Sequence, residues 1–246
     1  MLQYIILGII QGIFEWLPIS SEGVVAITSQ LMKLDVNPIN IALFLHLGTL
    51  LAVVIYFWRD WKNVILLKDK QLVFFLLIAT VLSLLVGYPV YLFIKDIAVG
   101  SILLLITGVA LFITAILHRQ KIKLNIHYAL LAVITGILQG LSVIPGLSRS
   151  GTTIFGLSLS EESPAKVLKI SYMMSAPVVL ASGIYTFLET PSLFYDGWIA
   201  LVFSFGFGLL SIFLLLKYIS KLNFFIFCLV FGILCIAGAL INFIYQ

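Results

Sequence analysis

Six long apolar runs limit what this chain can fold into more than any other feature of its sequence. They extend over residues 39–58, 71–94, 97–117, 164–188, 198–216 and 224–245. At about 1.5 Å per residue, a helix of this length crosses the roughly 30 Å hydrocarbon core of a bilayer. Because the runs are continuous and do not alternate polar with apolar residues, they favour helices over the strands of a membrane barrel. We therefore predict an all-α polytopic membrane protein with a single integral membrane domain over residues 1–246.

The composition excludes a soluble globular protein. Hydrophobic residues make up 62% of the chain and charged residues only 10%, whereas soluble domains carry about 25% charged residues. The formal net charge of +4 is too small to indicate a nucleic-acid partner. The expected partner is the lipid bilayer.

Two further apolar stretches are too short to cross, and a polar segment interrupts each of them. The first joins residues 2–17 to residues 24–32 through a tip at residues 18–23. The second joins residues 127–144 to residues 154–159. Irregular backbone at membrane depth must be buried in protein or line a cavity. Both stretches therefore predict re-entrant helical hairpins, in addition to six transmembrane helices.

An internal repeat relates the two hairpins at a constant offset of 128 residues. The matching pairs include Gln11 with Gln139, Ser20 with Ser148, and Gly23 with Gly151. The repeat halves are residues 1–123 and 124–246, and three crossings separate equivalent points. Because this number is odd, we expect the second half to be inverted relative to the first. Inverted repeats place a site near the bilayer midplane, where the N-termini of broken helices face anions.

The distribution of basic residues predicts the orientation in the cytoplasmic membrane. With six spans and two hairpins, eleven of the 14 Lys and Arg residues collect on one face. The other face holds only Lys33 and Lys95, and Arg149 lies in a hairpin. Since basic residues mark the cytoplasmic side, both termini are expected outside.

Charged and amide side chains at the first tip are candidates for a metal site. Gln11 and Glu15 are four residues apart and share one helix face. An intramembrane carboxylate is paired with a cation, protonated or bound to metal, and Gln11 would add an oxygen ligand. Glu22 adds a second carboxylate. The simpler alternative is that Glu15 only neutralises Arg149 and so holds the hairpins together.

The second tip, residues 145–153, has the composition of an anion-binding segment. Arg149 offers a planar fork for phosphate, and Gly146 and Gly151 allow close backbone approach. Hydroxyls follow at Ser148, Ser150, Thr152 and Thr153. The simpler alternative is a surface loop in which Arg149 meets water. Together the two tips suit phosphoryl transfer from a lipid pyrophosphate assisted by a divalent cation.

The motifs at both tips resemble those of the undecaprenyl-diphosphate phosphatase family, also called the bacitracin-resistance protein family. They are Gln11-x-x-x-Glu15 with residues 17–21 (LPISS), and residues 145–153 (PGLSRSGTT). The resemblance extends over nearly the whole chain, including residues 45–50 (LHLGTL). It implies hydrolysis of a C55 polyprenyl diphosphate to the monophosphate, at the outer side of the cytoplasmic membrane, with a divalent cation such as Mg²⁺ or Ca²⁺. The enzyme would thereby recycle the lipid carrier for cell-wall synthesis.

The resemblance also implies residue roles. Gln11 and Glu15 would form the metal and acid/base side, and Ser21 is the candidate nucleophile, with water as the alternative. Arg149 would clamp phosphate. Supporting substrate contacts are expected from Ser20, His46, Gly146, Ser148, Ser150, Gly151, Thr152 and Thr153.

The chain departs from the family pattern at three positions. Val24 stands where the family commonly has His, Glu22 stands where small residues are usual, and Ala42 stands where an acidic residue often precedes His46. The first departure removes an expected proton carrier. Either Glu22 or Glu15 takes over that work, or the chain is a divergent member of the family with weaker or altered activity. His46 is either a site residue or a polar residue bonded between helices.

Inverted repeats with broken helices are also a transporter architecture, so a polyprenyl-phosphate flippase is the competing function. The sequence leaves open whether the chain forms a homodimer.

Overall fold

The computed structural model describes residues 1–34, 36–94, 101–119, 126–144, 147–160, 162–219, 221 and 223–245. These described residues form helices, turns and bends, and no strand. The helices are α1 (Leu2–Phe14), α2 (Ser21–Leu31), α3 (Pro38–Tyr56), α4 (Trp58–Ile65), α5 (Lys70–Ile94), α6 (Ser101–Arg119), α7 (Tyr128–Leu141), α8 (Arg149–Ser158), α9 (Pro164–Glu189), α10 (Ser192–Asp196), α11 (Trp198–Ile219) and α12 (Phe224–Tyr245).

Within the described part of the chain, five helices are long and apolar enough to cross a membrane: α3, α5, α9, α11 and α12. They lie at five of the predicted spans, so the chain is a multi-pass, all-helical membrane protein. The helix α6 lies at the remaining predicted span, which begins at residues 97–100, outside the described residues. The short apolar helices α1 and α7 lie where the hairpins are predicted.

Two long helices begin at the capping signals visible in the sequence. The Asn37 side chain accepts hydrogen bonds from the Ile39 and Asn40 amides at the start of α3. The Ser163 side chain accepts from the Lys166 amide at the start of α9. In both helices Pro follows the cap, where its missing N–H costs nothing and its fixed φ suits the first turn.

Helix bounds at the tips differ from the predicted ones. The first helix ends at Phe14 rather than at residue 17, because Pro18 disfavours helical backbone just before it. The returning helices begin earlier than predicted, at Ser21 and Arg149 rather than at residues 24 and 154. The Ser and Gly residues at positions 20–23 and 148–151 therefore form the caps and first turns of α2 and α8 rather than free loops. The predicted linker after residue 58 contains the helix α4.

The two halves pack across one another in equivalent ways. The helix α1 of the first half packs on α11 of the second, and α7 of the second half packs on α5 of the first. A Cβ added to Gly12 would lie 2.7 Å from the Gly208 amide nitrogen, and one added to Gly140 would lie 2.8 Å from the Ser83 carbonyl oxygen. Glycine at both positions thus lets a short helix lie directly on the backbone of its neighbour.

The long helices α3 and α9 pack on each other at the place where the two tips meet. Trp16, which follows Glu15 at the first tip, is 1% exposed and belongs to a core cluster with Tyr172 of α9. The Trp16 indole donates to the Gly208 carbonyl oxygen at 2.9 Å, and the Tyr172 hydroxyl donates to the Trp16 carbonyl oxygen at 2.9 Å. The first tip is therefore fixed to α9 and α11 by buried hydrogen bonds.

Candidate active site

The half-helices α2 and α8 begin with matching serine caps. The Ser20 hydroxyl accepts from the Gly23 amide at 3.2 Å, and the Ser148 hydroxyl accepts from the Gly151 amide at 3.1 Å. These four residues are the pairs that the repeat relates at an offset of 128. Each serine thus caps the start of a helix at a tip by accepting a hydrogen bond from the glycine three residues later, and this local structure is the same in both halves.

Glu15 lies at the centre of the site and is 4% exposed. Its Oε2 atom accepts from Gln11 Nε2 at 2.7 Å and from Ser21 Oγ at 2.9 Å. The same oxygen lies 3.1 Å from His46 Nε2. The Oε1 atom forms an ion pair with Arg149 Nη2. One buried carboxylate therefore connects residues of both tips and of the helix α3.

Arg149 is held from three sides, although it is the first residue of α8. Besides the Glu15 ion pair, its Nη1 donates to the Ser171 carbonyl oxygen at 3.3 Å, and its guanidinium carbon lies 5.7 Å from the centre of a Trp16 ring. The side chain keeps 14% exposure. The simpler prediction, that Glu15 neutralises Arg149, is confirmed to the extent that the two side chains form an ion pair. The exposed fraction of the Arg149 side chain leaves part of it accessible to a ligand. The prediction of a surface loop around Arg149 is wrong for the described residues, because the guanidinium is paired inside the protein.

His46 faces acceptors on both sides of its ring. Its Nδ1 donates to the Ala42 carbonyl oxygen at 2.6 Å, and its Nε2 lies 3.1 Å from Glu15 and 4.0 Å from a Glu22 carboxylate oxygen. A neutral imidazole has only one N–H, so a ring that donates on both sides carries a proton and a positive charge. Glu15, Glu22, His46 and Arg149 are thus the ionisable groups of the site. His46 contacts the two carboxylates of this set, while its Nδ1 bond lies within α3 rather than between helices.

The hydroxyls of the second tip bond to the protein itself. Ser150 Oγ donates to the Leu17 carbonyl oxygen at 2.6 Å and so joins the two tips directly. Thr152 and Thr153 donate to the Arg149 carbonyl oxygen at 3.0 and 2.8 Å. Thr153 also lies 2.6 Å from the Ser171 hydroxyl. These contacts secure the segment that carries Arg149. Gly146 lies outside the described residues.

A cavity opens beside these groups, with a volume of about 460 Å³ that includes space open to solvent. Of the predicted site residues, Glu22, His46 and Arg149 line it. The rest of the polar wall comes from α7, the turn after it and α9, with Gln139, Ser142, Ser175 and Ser182 among its residues. The cavity lining therefore combines ionisable groups with polar, uncharged ones.

The first tip carries oxygen atoms of the kind that a hard divalent cation binds. Gln11 is fully buried, and its Oε1 atom has no hydrogen-bond partner among the described residues. Its carboxamide nitrogen, rather than this oxygen, faces Glu15, so the amide would have to turn over for Gln11 and Glu15 to share a cation. Within the same residues no cluster of three or more His, Cys, Asp or Glu side chains forms a metal site. A cation would therefore need phosphate oxygens to complete its ligands, as Mg²⁺ commonly does.

Sequence reasoning missed several residues of this site. Trp16 and Tyr172 fix the first tip, and Ser171 contacts both Arg149 and Thr153. The available signals were weak: Trp16 is next to Glu15, and Ser171 and Ser175 are polar residues four apart in an apolar span. Gln139 was visible only as the repeat partner of Gln11.

Comparison with known proteins identifies the family of this chain. A family model described as "Bacitracin resistance protein BacA" matches residues 4–237. The chain belongs to this family. BacA family relatives named undecaprenyl-diphosphatase include one from Methanococcoides burtonii, 37% identical over 95% of this chain and 96% of the relative. A second, from Haloarcula marismortui, is 34% identical over 96% of both chains, and a third, from Thermosipho africanus, is 35% identical over 88% of this chain and 90% of the relative. The BacA match covers both tips and all the described site residues.

Proposed function

We propose that this protein hydrolyses undecaprenyl diphosphate, or a similar polyprenyl diphosphate, to the monophosphate and inorganic phosphate. The observation that carries the proposal is the cluster of Glu15, His46 and Arg149, which both tips assemble beside an open cavity. Buried charges in a membrane protein are costly and therefore point to function. The names of the BacA family relatives support the same reaction and do not favour a flippase.

Arg149 is the proposed phosphate clamp. Its guanidinium can form two parallel hydrogen bonds to a phosphate, a geometry that Lys lacks. In the described state Glu15 occupies part of this fork. A diphosphate would exchange with the carboxylate at Arg149 and leave Glu15 free for other partners.

Gln11 and Glu15 would hold a divalent cation, Mg²⁺ or Ca²⁺, through their oxygen atoms. The bound cation would supply charge neutralisation for the phosphate oxygens. The residues of the chain do the rest: they orient the diphosphate and hold the protons.

Ser21 and the carboxylates supply the proposed acid and base. Ser21 Oγ donates to Glu15 at 2.9 Å, which is the contact expected of a hydroxyl nucleophile and its general base. The same carboxylate could instead activate water. His46 holds a proton between Glu15 and Glu22, so this pair is proposed to replace the proton carrier missing at Val24.

The finer architecture is part of the proposal: six spans and two re-entrant hairpins in an inverted repeat, with both termini outside. Support comes from the crossed packing of α1 on α11 and α7 on α5, and from the basic residues, which make the N-terminal end of α9 cytoplasmic. The cavity follows α9 from Ser175 to Ser182, toward its other end. The site is therefore proposed to open to the outer face. All the described groups of the site come from one chain.

Phosphate release tests the proposal. Protein purified in detergent is expected to release inorganic phosphate from a polyprenyl diphosphate with Mg²⁺ or Ca²⁺, and to lose this activity when a chelator is added. Absence of release, together with movement of polyprenyl phosphate across liposome membranes, would show the flippase instead.

A further inference from the structure

Gln139 carries a buried oxygen that the mechanism above does not use. The residue lies on α7, lines the cavity and is 3% exposed. Among the described residues, its Oε1 atom has no hydrogen-bond partner. A buried carbonyl oxygen without a donor costs free energy, so a donor such as a water molecule is expected at this oxygen.

The hydrogen bonds of the Nε2 atom fix the orientation of the Gln139 amide. Gln139 Nε2 donates to Ser83 Oγ at 3.1 Å and to the Met174 carbonyl oxygen at 3.0 Å. Ser83 Oγ has only one hydrogen, which faces the Ala79 and Gly136 carbonyl oxygens at 2.6 and 3.0 Å, so it acts as an acceptor toward Gln139. Turning the amide over would place Oε1 against the Met174 carbonyl oxygen. The Oε1 atom therefore stays on the side of the amide where no described hydrogen-bond donor lies.

The neighbouring hydroxyls on this wall are also acceptors. Ser142, Ser175 and Ser182 line the cavity, and each donates its hydrogen to a carbonyl oxygen of its own segment, at 2.6, 2.7 and 3.0 Å. Their remaining lone pairs can accept hydrogen bonds. A wall of acceptors does not suit anionic phosphate oxygens, but it suits water, which has two hydrogens to donate.

We propose that Gln139 Oε1 holds the water that attacks phosphorus, in the cavity that Arg149 also lines. This inference rests on the proposed phosphatase function. Accepting one water hydrogen directs a lone pair of the water oxygen toward a phosphate held by Arg149. Gln139 is thus a positioning residue for the nucleophile.

The step balances without any further reactant. The water oxygen forms a bond to phosphorus, and the bond from phosphorus to its leaving oxygen breaks. The leaving oxygen keeps the electron pair: it is the bridging oxygen of the diphosphate, or Ser21 Oγ if Ser21 has attacked first. The water proton passes to the Glu22 carboxylate, which lines the same cavity.

The competition between water and methanol as acceptors of the phosphoryl group tests the proposal. Detergent-solubilised full-length protein is assayed with a polyprenyl diphosphate in a fixed water–methanol mixture, and inorganic phosphate and methyl phosphate are both measured. We expect Gln139→Met to lower kcat by about 100-fold, with KM changed less than about threefold. The ratio of methyl phosphate to inorganic phosphate is expected to rise several-fold, because water loses its directing acceptor.

Thr135→Val is the matched control. Thr135 is fully buried on the same helix and donates to the Leu131 carbonyl oxygen, so this variant removes one hydrogen bond of α7 away from the cavity lining. It is expected to keep the product ratio. An unchanged ratio in Gln139→Met, whatever its kcat, would overturn the proposal and leave Gln139 a structural tie between helices.

An experimental structure of the wild-type protein, at a resolution that shows ordered water, gives a second measurement that needs no variant. A water within hydrogen-bond distance of Gln139 Oε1 is expected, and a dry oxygen would contradict the proposal. This result is separate from the test of the phosphatase function, which depends on phosphate release by the wild-type protein.

Discussion

Arg149 and Glu15 illustrate how two costly charges can be kept inside a membrane protein. Each neutralises the other, and Trp16 lies against the guanidinium. Breaking a buried pair by removing one partner costs about 3–5 kcal/mol, because the other charge remains unpaired. Substitutions that remove either charge therefore confound stability with activity, and conservative changes are the more informative ones.

Arg149→Lys keeps the charge and removes the planar fork. We expect kcat/KM for polyprenyl diphosphate to fall about 100-fold, because a point charge cannot form the bidentate contact to phosphate. Phosphate release in detergent measures the loss. Arg119→Lys is the control, since Arg119 lies over the Phe225 ring at the end of α6. Turnover near that of the wild type in Arg149→Lys would exclude the clamp role.

Glu22→Gln tests the group that replaces the missing proton carrier. As a base, Glu22 acts only when deprotonated, so wild-type kcat/KM is expected to fall as pH is lowered through the pKa of this base. The variant should be at least about tenfold slower near neutral pH, with this acid limb flattened. A pH–rate profile is the measurement. Glu162→Gln, which removes the exposed ion pair with Lys166, is the control. If Glu22→Gln kept the wild-type rate and the wild-type pH–rate profile, another group would have to accept the proton.

At the scale of elements, the sequence predicts the presence of the helices more accurately than the residues at which the helices of the tips begin. Long apolar runs, with Asn37-Pro38 and Ser163-Pro164 as start signals, give the spans, since these signals are local. The starts of α2 and α8 were placed too late because Ser20 and Ser148 read equally well as loop residues and as caps. The contact of Glu15 with His46 was not predictable from spacing, because it depends on how α3 packs beside the first tip.

The glycine contacts of the short helices give a matched test of packing. Gly12→Ala and Gly140→Ala would each place a methyl group against neighbouring backbone, at 2.7 and 2.8 Å. Such overpacking costs about 1–3 kcal/mol. Both variants should unfold at lower temperature in detergent. Gly206→Ala is the control, since nothing lies within 4 Å of its added Cβ; an equal loss of stability in all three variants would contradict the explanation.

For the whole molecule, the proposed orientation places the 59–70 segment inside and the turn at residues 190–197 outside. Cysteines introduced at Lys68 and Ser192, both exposed, report on it in intact cells with a membrane-impermeant maleimide. Ser192→Cys is expected to be labelled and Lys68→Cys to be protected until the membrane is opened. The native Cys228 and Cys235 are buried and should contribute little background. The reverse labelling pattern would invert the topology.

The crossed packing of the two halves also determines the order in which the protein can be completed. The helix α1 leaves the ribosome early, but its main neighbour α11 is made only near the end of synthesis. Gly8 and Gly12, which lie against the backbone of α11 in the finished protein, must face lipid or other protein until then. The helix α1 is therefore made long before it can pack in its final place, and the ion pair of Glu15 with Arg149 forms only after the second half has been synthesised.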